Sequence, residues 1–311
     1  MTDLDDLIRF LEHPVRGFLR QRLGVTLPGE EEEVADALSA ELDPLQRWAV
    51  GDRLLQARLA GGDPESCRQA EWRRGSLPPG ALGSAVLDRV LADVEPLVSA
   101  AGTLRAAPLG SVEIAVALPD GRPLSGVVSG VSRDVLLRVV YSRLGPKHRL
   151  RAWTQLLALA ATAPPRSWVA ATVGRGSSTW PRRSTLAASS ETAASVLADL
   201  VDLYDRGLRE PLPLPLSTAY AYADARRAGR TVAEALVAAA SAWDAGHAGA
   251  ERADLHHQLV WGEQPVFEIM LQEPSLEQEQ LDPALREPSR FGTLARRLWQ
   301  PLLAAETLGP A

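Results

Sequence analysis

Catalysis and ligand binding draw on carboxylates, imidazoles, thiols and ammonium groups at workable spacing, and this chain of 311 residues offers few such arrangements. Lys147 is the only lysine and lies between Pro146 and His148. A phosphate-cradling loop needs Gly-Lys-Ser/Thr, so a P-loop ATPase is excluded and Schiff-base chemistry has a single candidate. His256-His257 is a tempting pair. Adjacent side chains on a helix, however, diverge by about 100°. With no Cys or acid cluster at ligand spacing, the two histidines read as a core or surface pair, and no metal site is expected. Asp134 falls in Ser132-Arg133-Asp134, where turn chemistry alone accounts for it. Glu113 sits in a strand-like run, and Glu30–Glu33 reads as a solvated turn. No Gly-x-Ser-x-Gly occurs, and the lone Cys67 has no catalytic histidine in its sequence pattern. A single cysteine cannot form an internal disulfide. Together with an N-terminus unlike a signal peptide, it predicts a cytoplasmic protein.

The elements that must position these residues fall into three stretches. Residues 1–110 read as helical. Leu4, Leu7, Ile8 and Leu11 share one helix face up to Pro14, and Val15, Phe18, Leu19 and Leu23 continue to Gly24. Asp43-Pro44 and Asp63-Pro64 are paired N-cap and N1 signals for helices ending at Gly61-Gly62 and Gly75, and a further helix is predicted over Ala81–Ser99. Residues 111–210 change period. Strands are predicted at Val112–Val116, Leu124–Val131 and Val135–Tyr141, the first two joined by an Asp120-Gly121 turn. A helix over His148–Ala161, a strand over Trp168–Val173 between Pro164-Pro165 and Gly174, and a helix from Ser190 to about Leu208 complete an α-β-β-β-α-β-α order. Residues 211–311 read as helix and loop. They comprise a Pro-Leu connector over Pro211–Pro215, a Thr231–Glu234 capping box opening a helix to Trp243, a loop over Gly246–Ala250, and a last helix over Thr293–Ala305 interrupted by Pro301.

Charge separates the middle stretch from the rest. The chain is 46% apolar with a net charge of −6, a globular composition with no apolar run long enough to span a membrane. Between Gly121 and Ser190, eleven cations (Arg122, Arg133, Arg138, Arg143, Lys147, Arg149, Arg151, Arg166, Arg175, Arg182 and Arg183) face one acid, Asp134. That local balance of +10 leaves −16 on the remainder and points to a polyanionic partner. The competing reading is that these arginines pair with acids elsewhere in the fold.

A three-stranded meander followed by helix, strand and helix is the core order of the restriction-endonuclease-like, PD-(D/E)xK nucleases. The run from Leu7 to Gly24, the Leu77–Gly83 turn, Trp180-Pro181, Tyr204–Leu208 leading to Pro211-Leu212, and Phe291 together resemble the C-terminal domain of the RecC (gamma) subunit of exodeoxyribonuclease V, the RecBCD helicase–nuclease. The resemblance covers essentially the whole chain and implies the last third of a longer subunit. It also implies an α/β fold with a restriction-endonuclease-like core flanked by N- and C-terminal helical regions.

Laying the pattern of active RecB- and AddB-type nucleases on the chain tests whether the site survives. Such enzymes bind Mg²⁺ through strand carboxylates beside a lysine. Here Ser129 takes the place of the first acid, Tyr141 that of the second and Arg143 that of the lysine. Gln155 remains in the following helix but Leu159 replaces a tyrosine, an upstream histidine aligns with Leu87 or Asp88, and His13 replaces an iron–sulfur cysteine. The implied protein is a non-catalytic, DNA-handling subunit domain without metal or cofactor. Its partners would be duplex ends, forks and single strands, together with RecB- and RecD-like subunits. Arg138, Arg143, Lys147, Arg149, Arg151, Arg175, Arg182 and Arg183 are candidates to meet phosphates, with Trp153 or Trp180 available to stack on a base. The alternatives are a pure protein-interaction scaffold and an active Mg²⁺-dependent nuclease.

Overall fold

The computed structural model describes residues 2–27, 42–105, 107–162, 167–176, 180–245, 250–271 and 287–311. The expected Glu30–Glu33 turn, the Pro164-Pro165 boundary, Arg166 and the Gly246–Gly249 part of the expected loop lie outside these residues.

Asp3 caps the first long element, its carboxylate accepting the Asp5 and Asp6 N–H groups at 2.9 and 3.0 Å. It follows β1 (Thr2–Asp3) and opens α1 (Leu4–Glu12), whose Leu4, Leu7, Ile8 and Leu11 are fully buried as the helical spacing predicts. His13 caps α2 (Pro14–Gly17), which runs into a π-helical turn at Phe18–Arg22. The two Asp-Pro signals start α3 (Pro44–Leu59) and α4 (Pro64–Arg73), and α5 (Ala81–Leu104) carries Pro96 within it. The meander is β2 (Gly110–Ala117), β3 (Pro123–Ser132) and β4 (Val135–Arg143). After it come α6 (Pro146–Thr162), β5 (Trp168–Arg175), β6 (Pro181–Ala188) and α7 (Ser190–Gly207). The remainder is α8 (Leu216–Arg227), α9 (Val232–Asp244), α10 (Leu255–Trp261), α11 (Arg290–Ala305) and β7 (Glu306–Pro310).

The result is a mixed α/β fold around one seven-stranded sheet, in which β4 and β5 run parallel and the other long pairs are antiparallel. One face carries α1, α6 and α7 over a core that includes Val128, Leu136 and Ala170. The other carries α3 and α5 over a second core with Tyr141 and Val173. Gly51 on α3 permits that second contact, since a Cβ there would fall 2.1 Å from the Tyr141 ring. α8, α9 and α11 pack together outside α6 and α7.

Several elements differ from the sequence reading. β6 is absent from the expected order because its inward residues Ser184, Leu186 and Ala188 include one large apolar side chain, so the alternation is faint. α8 lies between the Pro211–Pro215 connector and the Thr231 capping box, where no element is expected because Ala, Ser and Tyr give little amphipathic contrast. α11 starts three residues earlier than expected and continues through Pro301. β1 and β7 are too short, and β7 too rich in Gly and Pro, for a pattern to show. No helix among the described residues is long and apolar enough to cross a membrane.

β7 is held by a buried ion pair. Arg149 and Glu306 side chains are 4% and 3% exposed, with Arg149 Nε 2.7 Å from Glu306 Oε1 and a second bond from Nη2. Removing one partner strands the other charge in the interior, so Glu306→Gln should cost about 3–5 kcal/mol in urea unfolding. The double replacement Arg149→Met with Glu306→Leu should recover most of that loss.

Candidate nucleic-acid interface

The strand positions aligned with nuclease ligands do not converge. Ser129 is exposed on β3 and hydrogen-bonded to Ser111 Oγ of β2 at 2.9 Å. Tyr141 is 1% exposed in the second core, its hydroxyl donating to Asp93 Oδ2 at 3.2 Å. β3 and β4 separate between these two residues. Their ladder consists of Val131↔Leu136 and Ser132↔Val135, while β1 takes the same edge of β3 at Leu124 and Ser125. The start of α1 fills the split, and a Cβ on Gly126 would meet Leu4 Cβ at 2.7 Å. Glu113 is exposed on β2, and Asp134 is exposed in the turn where Arg133 has φ 55°. Among the described residues, no group of metal-binding side chains forms on β3 and β4. Gln155 accepts from Arg138 Nη1 at 2.8 Å. Leu159 is buried, Leu87 sits in the second core, and Asp88 pairs with Arg68 on the surface.

Five of the basic segment's eleven cations have acid partners from outside it. Arg151 Nε is 2.6 Å and Lys147 Nζ 3.6 Å from Glu12. Arg149 holds Glu306, Arg175 Nη1 lies 2.7 Å from Asp93, and Arg122 bridges Asp120 and Asp205. The structure therefore removes two residues from the predicted surface set. Arg149, at 3% exposure, is sealed between α6 and β7, and Trp153, at 4%, belongs to the main core because α6 is covered on nearly every side. Arg138 is largely buried, which lowers its pKa, as does the neighbouring Arg151. Burial, Lys147 and Arg138 lower the His148 pKa, so this imidazole adds no charge to the start of α6 at neutral pH.

Arg133 is exposed in the β3–β4 turn, and at the other end of β4 exposed Arg143 and Arg182 gather with half-buried Arg175 and Arg183. Arg143 ends β4 and is in register with Arg175 at the end of β5, which pairs with Pro181 at the start of β6. Arg183 pairs with Val173, so Arg143, Arg175 and Arg183 share the α5-side face of this rim, while Arg182 occupies the opposite face. Among the described residues, no carboxylate pairs with Arg143, Arg182 or Arg183. Trp180, next to them, is 74% exposed and so is not a packed loop anchor. Carboxyl ends of parallel strands and a following helix N-terminus are the usual place for ligands on such sheets.

These features define a mixed α/β domain with a cationic, aromatic-flanked sheet rim. The profile of the family described as RecC C-terminal domain matches residues 1–227. The chain is 39% identical over 97% of its length to "RecBCD enzyme subunit RecC" of Mycobacterium tuberculosis, and 40% identical over 97% to that of Mycolicibacterium smegmatis. It is 30% identical over 67% of its length to the Escherichia coli K12 protein of the same name. The chain belongs to the RecC C-terminal domain family. It spans 27% of the length of the mycobacterial relatives and 18% of the Escherichia coli one.

His256 and His257 are both buried, as a core pair would be, but they are not without an acid at ligand spacing. His256 does have an acid beside it, Asp254 two residues earlier, and His13 arrives from the far end of the sequence to join them. The Asp-x-His spacing was legible, whereas contact across more than 240 residues was not.

Burial pushes the Tyr141 phenol up to about 12, with Asp93 adding to the rise and Arg175, stacked 4.2 Å from the ring centroid, opposing it. The unfolded phenol ionises near 10, so this contribution to stability is whole below about pH 10 and is lost as pH rises toward 12. Tyr141→Phe should therefore show a shallower loss of urea stability between pH 10 and 12 than the parent chain.

Proposed function

We propose that this chain is a non-catalytic, nuclease-like DNA-handling domain acting in the cytoplasm within a RecBCD-type exodeoxyribonuclease V. There it would serve double-strand-break repair by recombination through fork binding, guiding of separated strands and contact with RecB- and RecD-like subunits. The order β2-β3-β4-α6-β5 supports a restriction-endonuclease-like ancestry, and the separation of Ser129 from Tyr141, with Arg143 in the lysine position, supports a site without metal chemistry. The observation that carries the DNA reading is the rim of Arg143, Arg182 and Arg183 beside exposed Trp180. Phosphates attract guanidinium groups that have no carboxylate partner, and an exposed indole offers a face to an unstacked base. Lys147, Arg151 and Arg175 are spoken for by carboxylates, so they contribute less.

The pairing of five segment cations within the fold favours the second reading, a protein-interaction scaffold. Binding to forked DNA across a salt series separates the two. Phosphate contact gives a log–log slope of about −0.9 per contact, and each of Arg143→Ala, Arg182→Ala and Arg183→Ala should reduce its magnitude by about that amount. Trp180→Ala should weaken single-strand binding by about 1–3 kcal/mol. Binding that is flat with salt, alongside capture of RecB- or RecD-like subunits, would select the scaffold. Incubation of linear DNA with Mg²⁺ or Mn²⁺ should leave it intact. Digestion abolished by Asp134→Asn or Glu113→Gln would overturn the non-catalytic reading.

A further inference from the structure

His13, Asp254 and His256 place one ligand atom each within 4.8 Å of one another, on α2's cap, α10's cap and α10's first turn. His13 Nε2 lies 3.1 Å and His256 Nδ1 3.3 Å from the same oxygen, Asp254 Oδ1. A tetrahedral zinc ion with bonds of about 2.0–2.1 Å spaces its donors by roughly 3.3 Å, so two edges of such a tetrahedron are already in place. Beside the cluster lies a cavity of about 190 Å³ lined by Glu12, His13, Glu251, Asp254 and His257 among others. It gives room for a fourth ligand and surrounds the position with carboxylates.

Neighbouring groups support a cation here. His257 Nδ1 is 2.6 Å from the Glu251 carbonyl oxygen, to which it donates. Its Nε2 is then a bare lone pair, buried without a hydrogen-bond partner. Glu251 itself is fixed, accepting the Ser217 and Thr218 N–H groups at 2.7 and 2.9 Å. The first and last thirds of the chain thus meet around a pair of imidazoles and a carboxylate, a donor set suited to zinc rather than to Mg²⁺ or Ca²⁺.

We propose that His13, Asp254 and His256 form a zinc site that clasps α2 to α10 and leaves one coordination position open toward the cavity. In the metal-free cluster His13 Nδ1 accepts the Arg16 N–H at 3.2 Å, so the ring proton sits on Nε2 and faces Asp254. Zinc takes that proton's place, and the Nδ1–H tautomer that results gives up the Arg16 bond. The site is therefore one that exchanges an existing clasp for a stronger one.

The test uses the full 311-residue chain stripped with a chelator, titrated with Zn²⁺ and dialysed before metal analysis. The expected result is one retained zinc per chain, a raised melting temperature, and intense visible absorption when Co²⁺ replaces zinc, as tetrahedral coordination gives. Asp254→Asn, which keeps the α10 cap, and His256→Gln should each weaken binding by about tenfold or more. His148→Gln, outside the cluster, should leave it unchanged. Should either cluster variant fail to fold by circular dichroism, the parent chain's stoichiometry and Co²⁺ spectrum decide alone. Sub-stoichiometric zinc, a weak octahedral-type Co²⁺ spectrum, or equal affinity in folded cluster variants would overturn the site.

Discussion

The burial of α6 constrains the rest of this molecule. From Ala152 to Ala160 every residue is buried, and the helix lies between the sheet, α1, α7 and α8. In its first turns Arg149 is buried and Arg151 partly so, and a buried charge is tolerable only when paired. Arg149 and Arg151 therefore take carboxylates from distant places. Glu306 comes from β7, 157 residues away, and Glu12 from the end of α1, 139 residues away. The Glu12 pair ties α1 to α6, and the Glu306 pair fixes an otherwise weak element. β7 contains Gly309 and Pro310 and has little intrinsic preference for a strand, yet it completes the sheet because Glu306 must reach Arg149.

The same requirement reapportions the charge that makes the middle segment conspicuous. A local balance of +10 reads in the sequence as a surface for a polyanion, but net charge does not record which cations the fold has already neutralised. Once Glu12, Asp93, Asp120, Asp205 and Glu306 are brought in, the cations with no carboxylate among the described residues include Arg133 in the β3–β4 turn and the rim group Arg143, Arg182 and Arg183. Arginines near the chain's buried helix are paired within the fold, whereas no carboxylate among the described residues pairs with those at the ends of β4 and β6.

Local periodicity made much of the fold legible. The buried face of α1, the Asp-Pro starts of α3 and α4, the capping box of α9 and the meander all follow from spacing and cap chemistry, which are properties of neighbours in sequence. The unseen features are those in which tertiary context supplies the stabilisation. β6 has one large apolar residue facing the core, β1 has two residues in all, and α8 is held by packing against α9 and α11 and by the Glu251 carboxylate on its N–H groups. Within the rim, the sequence pointed to Arg143, Arg175, Trp180, Arg182 and Arg183 but could not separate them from Arg149 and Trp153. The alternation on α6 disappears when all its sides are covered.

The positions laid on the nuclease pattern, Ser129 on β3 and Tyr141 on β4, are set apart by the backbone as well as by the side chains they carry. Here the ladder stops after Val131↔Leu136, and β1 occupies the vacated edge at Leu124 and Ser125. Gly126 lets Leu4 approach to a distance that any side chain would forbid, so α1 enters the split between the two strands. Restoring carboxylates at Ser129 and Tyr141 would place one on the solvent face of β3 and the other, at great cost, inside the second core against Gly51 and Asp93. The short β3–β4 ladder and the entry of α1 beside Gly126 therefore keep these two positions in different surroundings whatever side chains they carry.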